Sequence, residues 1–592
     1  MRKSLTYKIL AAVLALTAVN YALPVNTMAG TVDDDKYVVE SDGEIISSGI
    51  FTNVYGNGHS FTITGGTIDG KVFGAGNDNQ DYDKDASGGN VTINGNANVS
   101  YFVYGGRSDG SSAHHNTVNI SGDAKVIVGT VYGGYVAQGI ANNNEIIISG
   151  SAVIEIANLY GSNSSNNTGN TLTIDGWSGR TYSVKNFNDI AFKNINWQNG
   201  NNVLTITTGS AADLKNTTID TIHIAGGSNI NVGESMTLIK SENNINFGLT
   251  KDNVTDTFTA GVAREGLGST SVKNGNVTFK VNSIKLSSQA VGAAQTRAAS
   301  AAFVNQGTDL ISDSLDTISR DDNYGVKTFA AVHGNRSKYD VADDIKINGW
   351  STIVGVGNAD KFDNGSELSW GVFYENGSGN YRTYNSFNNE FFRGDGSMVY
   401  NGGGIAARYE NKNGVYTEGS LRAGMLKNEL DNAMRDVNGS YGYETESAYY
   451  GAHIGVGKII SLSDSSDLDI YGKFFHTYTE GDSVTIADDK FDFDSITSDR
   501  LRVGARITSN KENKFSTYYG LAYEYEFNGD ADMTAQGLRA DTQSLQGSSV
   551  MAEVGFNYQP TPGSPWSFDL NMRGYTGERQ GGSFNVQATY TF

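Results

Sequence analysis

Residues Phe584–Phe592 read "FNVQATYTF". Phe584, Val586, Ala588, Tyr590 and Phe592 alternate with Asn585, Gln587, Thr589 and Thr591, the period of a strand with one apolar and one polar face. Chain ends are usually polar and frayed, yet this one closes on an aromatic ring. The same two-sided pattern recurs upstream. Trp566, Phe568, Leu570 and Met572 oppose Ser567, Asp569, Asn571 and Arg573, and Val550, Ala552, Val554, Phe556 and Tyr558 oppose Glu553 and Asn557. Leu501, Val503, Ala505 and Ile507 oppose Arg500, Arg502 and Arg506, while Leu521, Tyr523, Tyr525 and Phe527 oppose Glu524 and Glu526. From Tyr324 onward twelve strands of nine to twelve residues are predicted, beginning near Thr328, Trp350, Leu368, Ile405, Val415, Tyr450, Leu468, Arg500, Tyr518, Val550, Trp566 and Phe584.

A soluble sandwich would also alternate. The strand count is even, however, and short turns (Asn411–Gly414, Asn510–Lys514, Gln559–Pro565) alternate with long polar loops predicted at Gly377–Met398 and Asn528–Gly547. Short turns at one end and long loops at the other describe a membrane β-barrel, with aromatics near strand ends as its interfacial girdles: Trp350, Trp370, Trp566 and Phe592.

Composition agrees. The chain has 592 residues, with Gly 73, Tyr 32, Phe 26, Pro 4 and no cysteine. Aromatic and β-branched residues with Gly and Asn turns favour an all-β protein, and a net charge of -21 argues against nucleic-acid binding. At the N-terminus Arg2, Lys3 and Lys8 precede the apolar run Ile9–Val19, and "TMA" at Thr27–Ala29 supplies small residues. This reads as a secretory signal peptide (1–29) cleaved between Ala29 and Gly30; an uncleaved anchor would need a longer apolar run. No other stretch is apolar enough for a transmembrane helix, so strands must make any span.

Residues 30–284 are repetitive. "KVFGAG" (Lys71), "FVYGGR" (Phe102), "TVYGGY" (Thr130) and "NLYGSN" (Asn158) align Val72, Val103, Val131 and Leu159 at spacings of 31, 28 and 28. Between them fall segments opening at Asn90, Asn116, Asn144 and Asn170. Short strands at this period, with no helix between them, predict a β-solenoid in which each rung covers its neighbour; a propeller is the competing architecture. After Asp175 the repeat loosens, and 231–284 reads as a closing cap.

Residues 285–323 form the one convincing helix. Its run Ala293, Ala294, Ala298, Ala299, Ala301 and Ala302 combines high helix propensity with a small radius. With "AAFVNQGTDLISDSL" (Ala301–Leu315), "GVYTEGSLRAG" (Gly414–Gly424), "RLRVGARI" (Arg500–Ile507), "YYGLAYEYEFNG" (Tyr518–Gly529), "VMAEVGFNYQP" (Val550–Pro560), the terminal "ATYTF" and "GESMTLI" (Gly233–Ile239), the chain resembles a monomeric (type Va) autotransporter along essentially its whole length. The resemblance implies Sec export, insertion by the barrel-assembly machinery guided by Tyr590 and Phe592, and a passenger displayed outside the outer membrane by a barrel (324–592) that a helix threads. Lumen-facing Glu418, Arg422, Arg500, Arg502, Arg506, Glu524 and Glu553 are then expected to meet the polar flank of that helix, including Arg297, Asp309 and Asp313. The cleaving subfamily carries an Asn-Asn pair in this helix. Here Asn305 precedes Gln306, so the passenger is expected to stay attached.

No catalytic constellation emerges. "GDS" at Gly481–Ser483 falls in a predicted barrel loop, and Gly-Asp-Ser is common in turns. His114–His115 lacks further ligands at zinc spacing. Asp81, Asp83 and Asp85 alternate as calcium ligands would, but without the closing Gly and Glu. Arg393–Asp395 reads "RGD" in a loop placed outside the cell. The expectation is a monomer in outer-membrane lipid, without cofactor or enzymatic activity, whose passenger is an adhesin for glycan or protein ligands. A passenger hydrolase (esterase or protease) and a plain pore are the alternatives.

Overall fold

The computed structural model describes residues 30–76, 85–127, 129–208, 212–320, 324–339, 345–387, 390–510, 514–561 and 563–592. The proposed signal peptide with Ala29, and Asp81 and Asp83 of the calcium candidates, lie outside these residues. The chain divides into two compact units, 30–260 with 266–284, and 261–265 with 285–592.

In the first unit almost every strand pairs in parallel with the strand one turn away. Val54, Val72, Val103, Val131, Leu159 and Val184 stand in register as one buried column. Ile46, Ile63, Ile93, Ile120, Ile148, Ile174 and Phe192 form a second, and a third runs from Phe61 through Val91, Val118, Ile146 and Leu172 to Ile190. Each turn leaves its apolar edge open, and the next turn of the same composition covers it, so the core grows by repetition without disulfides. Strands Ser235–Ser241 and Asn276–Leu286 pair antiparallel at one end of this stack.

Of the asparagines that open the repeats, Asn116, Asn144 and Asn170 are buried inside it, whereas Asn90 is exposed. Asn116 Nδ2 donates to Asn144 Oδ1 at 2.9 Å, and Asn144 Nδ2 donates to Asn170 Oδ1 at 3.1 Å. Beside them Gly105, Gly133 and Gly161 leave no room for a side chain, because a Cβ would fall within 2.9 Å of the asparagine Cβ. That packing, rather than turn geometry, explains the "YGG" of the repeat.

One carboxylate is strained by this regularity. Partial burial, reinforced by the charge of Asp220, pushes the Asp189 carboxyl up to about 6. An acid whose pKa is raised on folding favours the fold below its unfolded value and loses that contribution as pH rises through its folded value. At full weight this shift would be worth ~3 kcal/mol; with part of the group open to water, about 1 kcal/mol is the realistic figure. Asp189→Asn should therefore stabilise this unit by about 1 kcal/mol at pH 7 and have almost no effect at about pH 3, below the unfolded value. Urea melts at the two pH values check this.

In the second unit twelve antiparallel strands close into a barrel. They are Gly325–Tyr339, Ile345–Lys361, Glu367–Phe387, Glu390–Glu410, Val415–Asp436, Gly439–Ser463, Ser466–Thr479, Ile496–Ser509, Phe515–Glu526, Gly547–Tyr558, Trp566–Gly577 and Arg579–Thr591. The final strand pairs with the first, Val586 opposite Val332. Outward side chains form an exposed apolar belt, among them Val354, Val372, Ile405, Leu421, Ile454, Val503, Leu521, Val554 and Val586. A belt of this extent on an exterior surface is a lipid contact.

Two expectations are corrected. Strand lengths are 12 to 25 residues rather than nine to twelve, and Gly377–Met398 is no loop, since Glu367–Phe387 and Glu390–Glu410 pair as one hairpin from Glu367↔Glu410 to Phe387↔Glu390. Outside lipid there is no apolar face to reveal a strand, yet backbone pairing continues into water. Arg393–Asp395 consequently sits on a strand, where Arg393 Nη2 donates to Asp395 Oδ2 at 2.8 Å. The Asn528–Gly547 connection holds only short pairs such as Asp530–Ala531 with Gln543–Ser544.

Candidate functional site: the helix-filled lumen

The helix Ser288–Arg320 has 33 residues, ~50 Å at 1.5 Å per residue, longer than the ~30 Å hydrocarbon core. It is buried along nearly its whole length by the barrel, which a free inter-domain helix would not be. Ser287 caps it, accepting from the Ala290 N–H at 3.2 Å. At the other end Lys327 Nζ donates to the Ile318 carbonyl at 3.0 Å. No helix among the described residues is long and apolar enough to cross a membrane by itself.

Its halves meet the wall differently. The N-terminal half presents Ala293, Ala294, Ala298, Ala301 and Ala302 to large inward side chains, including Tyr381, Tyr400, Tyr443 and Tyr449. A slim helix leaves space that wall tyrosines fill. Gly307 continues this fit: a Cβ there would come within 2.5 Å of Arg422 Nη1 and 2.7 Å of Tyr400 Oη.

The C-terminal half carries Asp309, Asp313 and Asp316, spaced to share one face. Asp309 accepts from Arg502 Nη2 at 2.8 Å, Arg579 Nη1 at 3.0 Å and Arg500 Nη1 at 3.2 Å. Asp313 takes both terminal nitrogens of Arg573, at 2.7 and 2.6 Å, the fork geometry that makes arginine–carboxylate pairs strong. Asp316 meets Arg408 at 2.9 Å, Lys473 at 3.1 Å and Arg506 at 3.4 Å. The opposite face, with Leu310, Ile311 and Ile318, packs on Phe329, Ala331, Ile353 and Phe373.

The wall supports its own cations. Glu524 pairs with Arg502 at 2.7 Å and Glu553 with Arg506 at 2.7 Å. Glu418 pairs with Lys473 at 2.7 Å and accepts from Ser312 of the helix at 3.5 Å. Arg422 donates to the Val304 carbonyl at 2.7 Å and pairs with Glu375 at 2.9 Å. Arg297 stands apart from this network, donating to Ser447 Oγ at 3.1 Å and the Glu480 carbonyl at 2.6 Å. Asn305 donates to Ser498 Oγ at 2.9 Å. Glu375, Arg408, Lys473, Arg573, Arg579 and Asp316 were not singled out from sequence as helix contacts, although inward alternation within their elements was a usable signal.

At the loop-rich mouth Asp489, on the hairpin Asp482–Phe493, accepts from the Val262 and Ala263 N–H groups, each at 2.8 Å. The segment leading toward the helix is thereby pinned to a barrel loop. At the other rim Trp566, Tyr590 and Phe592 make edge contacts, 4.9 Å between neighbouring centroids.

The remaining motifs are scattered. Ser483 Oγ donates to Asp492 Oδ1 at 2.7 Å, and Asp482 accepts from the Glu446 N–H at 2.9 Å. His114 and His115 contact each other edge-on, centroids 6.2 Å apart. Asp85 accepts from Ser112 Oγ at 2.8 Å. Among the described residues no three His, Cys, Asp or Glu side chains converge as a metal site.

An antiparallel barrel with a lipid belt and an ionically latched helix in its bore defines a plugged outer-membrane channel. Residues 328–572 match the family described as autotransporter beta-domain. Solved structures similar to it include the translocator domain of autotransporter NalP from Neisseria meningitidis, with 16% identity, 51% of this chain and 100% of that chain covered, and a TM-score of 0.37. The beta domain of the Bordetella autotransporter BrkA matches at 13% identity over 45% of this chain and 100% of that one, TM-score 0.36. The transport unit of AIDA-I from Escherichia coli matches at 10% identity over 48% of this chain and 98% of that one, TM-score 0.36. No curated protein matches the chain.

Proposed function

We propose that residues 30–284 are a passenger carried to the cell surface and anchored there by the barrel, and that this passenger is an interaction module and not an enzyme. The observation that carries the proposal is the threaded helix. Its C-terminal end lies beside the first barrel strand, and its N-terminal end lies at the loop-rich mouth, so the chain before it leaves by that mouth. Retention of the passenger rests on Asn305 being followed by Gln306.

The binding face is assigned to an aromatic row. Tyr55, Phe73, Tyr104, Tyr132 and Tyr160 stand in register on successive turns, with neighbouring ring centroids 5.1 to 5.5 Å apart. Arg107 lies 5.6 Å from the Tyr104 ring and 5.7 Å from that of Tyr135, and Lys185 Nζ lies 4.1 Å from the Tyr160 ring. Tyr55, Tyr132 and Tyr135 are half-buried, while Phe73, Tyr104 and Tyr160 are buried in the row. Partly open aromatics beside an arginine are the composition of binding hot spots, and a repeating polar polymer such as a glycan suits a repeating row. Protease added to intact cells should remove 30–284 and spare the barrel. Full-length protein on glycan and matrix arrays should bind, and Arg107→Ala with Tyr135→Ala should lower binding by roughly tenfold or more. A passenger resistant to external protease in intact cells, or binding unchanged in the double variant, would overturn the respective half of the reading.

A further inference from the structure

The outer wall of the barrel carries a trough across its closing seam. Strand pairing sets Met572, Phe584, Gly334, Trp350 and Ser378 side by side on the outward face as one row. The next row toward the loop-rich mouth is Gly582, Arg336, Asn348 and Asn380, and the one after it is Gln580, Lys338 and Lys346. Gly582 keeps the floor low and the Phe584 ring lies over Gly334, while Trp350, 58% exposed, and Phe584, 45% exposed, wall the hollow. The hollow measures about 820 Å³. A Cβ on Gly334 would run into the Phe584 ring.

Depth identifies what fills it. From Val326 to Arg336 the first strand advances ten residues, which at ~3.3 Å each and a tilt of ~40° rises about 25 Å, the height of the apolar belt of such barrels. On the first, second and closing strands large outward apolar side chains end at the Phe584–Trp350 row, and cations begin one row higher. The trough thus straddles the boundary between hydrocarbon and headgroups, where lipid is the solvent. No carboxylate is among the described residues lining it.

We propose that this trough holds an acyl chain of an outer-leaflet lipid whose phosphate is bound by Arg336, Lys338 and Lys346. The low floor at Gly582 admits the chain, the two rings flank it, and the cations meet the phosphate at the depth where one lies. The inference rests on the barrel's orientation but not on the passenger's role, so a failed array experiment leaves it standing.

The test is native mass spectrometry of full-length protein loaded with bisphosphorylated lipid A, with the same lipid lacking its phosphates, and with phosphatidylcholine. The phosphorylated lipid should be retained as one bound copy, and the other two should be lost at low collision energy. Arg336→Gln with Lys346→Gln, both on the outer wall, should weaken retention roughly thirtyfold. Asn348→Trp, which crowds the hollow, should abolish it. Heat-modifiable mobility on gels confirms that each variant is folded. Equal retention of lipid with and without phosphates on the wild-type protein, or unchanged retention by the folded double variant, would overturn the proposal.

Discussion

Asp309→Ala should destabilise the plugged barrel by about 3–5 kcal/mol and make it conduct ions. Asp309 is fully buried and is the point where Arg500, Arg502 and Arg579 converge. Replacing a whole buried ion set by apolar residues can be harmless, but deleting one partner strands the others without water or counter-charge. Here one deletion strands three guanidiniums, only two of which have Glu524 in reach, at 2.7 and 3.5 Å. The barrel can relieve this by admitting water along the helix, which is why lost stability and gained conductance should appear together. Asp309→Asn keeps the shape and one acceptor and should fall between. Thermal unfolding followed by gel mobility, with planar-bilayer recordings on full-length protein, measures both. A silent Asp309→Ala barrel that melts with the wild type would show that the ion cluster does not hold the plug.

The contrast between the two faces of the helix shows why a latch is needed. Leu310, Ile311 and Ile318 gain by leaving water wherever they go, so that face supplies affinity without direction. Asp309, Asp313 and Asp316 accept only particular geometries, and together fix the depth and rotation of the helix in the bore. A one-turn slip would carry each carboxylate about 5.4 Å from its arginines. The seven wall cations that reach these aspartates come from strands spread over most of the barrel's sequence, Arg408 to Arg579, so the lock closes only after the wall is complete.

Much of the barrel was legible because lipid enforces a two-residue period. Phe584, Val586 and Phe592 face out and Asn585, Gln587 and Thr589 face in, as their alternation requires. Where the wall rises into water that rule lapses, which is how Gly377–Met398 passed for a loop. The lumen was legible only by face. Alternation could place Arg500, Arg502 and Arg506 inside, but which aspartate each meets depends on barrel closure, and nothing local to Arg573 or Arg579 announces that Asp313 and Asp309 lie opposite. Arg297 illustrates the converse: a charge on the helix flank that a backbone carbonyl and a serine satisfy. The repeat was visible in its valines, whereas its asparagines read as turn punctuation. An Asn at the head of a strand has the same composition whether it caps a turn or stacks in a core, and only its neighbours one turn away decide.

Those neighbours make Asn144→Ala the largest expected loss in the N-terminal unit. Asn144 Oδ1 accepts from both the Asn116 N–H, at 3.1 Å, and Asn116 Nδ2, at 2.9 Å. Its own Nδ2 donates to the Ala113 carbonyl at 2.9 Å and to Asn170 Oδ1 at 3.1 Å. Alanine removes an acceptor from two buried donors and a donor from a backbone carbonyl, each costing about 1–3 kcal/mol when unsatisfied. Even with partial relaxation the loss should be about 3 kcal/mol or more. Because each turn is supported only by its neighbours, the damage should spread from the affected turns to those on either side. Asn158→Ala is the control: its Nδ2 bonds Gly129 and Thr130 at 3.3 and 3.1 Å and its Oδ1 accepts from Ser183 Oγ at 2.6 Å, but the side chain is half-open to water and Ser183 Oγ keeps Tyr160 Oη at 3.2 Å, so its loss should cost about 1 kcal/mol. Pulse proteolysis in urea on full-length protein, following cleavage within 30–284, separates the two. Equal midpoints for Asn144→Ala and Asn158→Ala would mean that the buried asparagine column contributes no more than an ordinary surface bond.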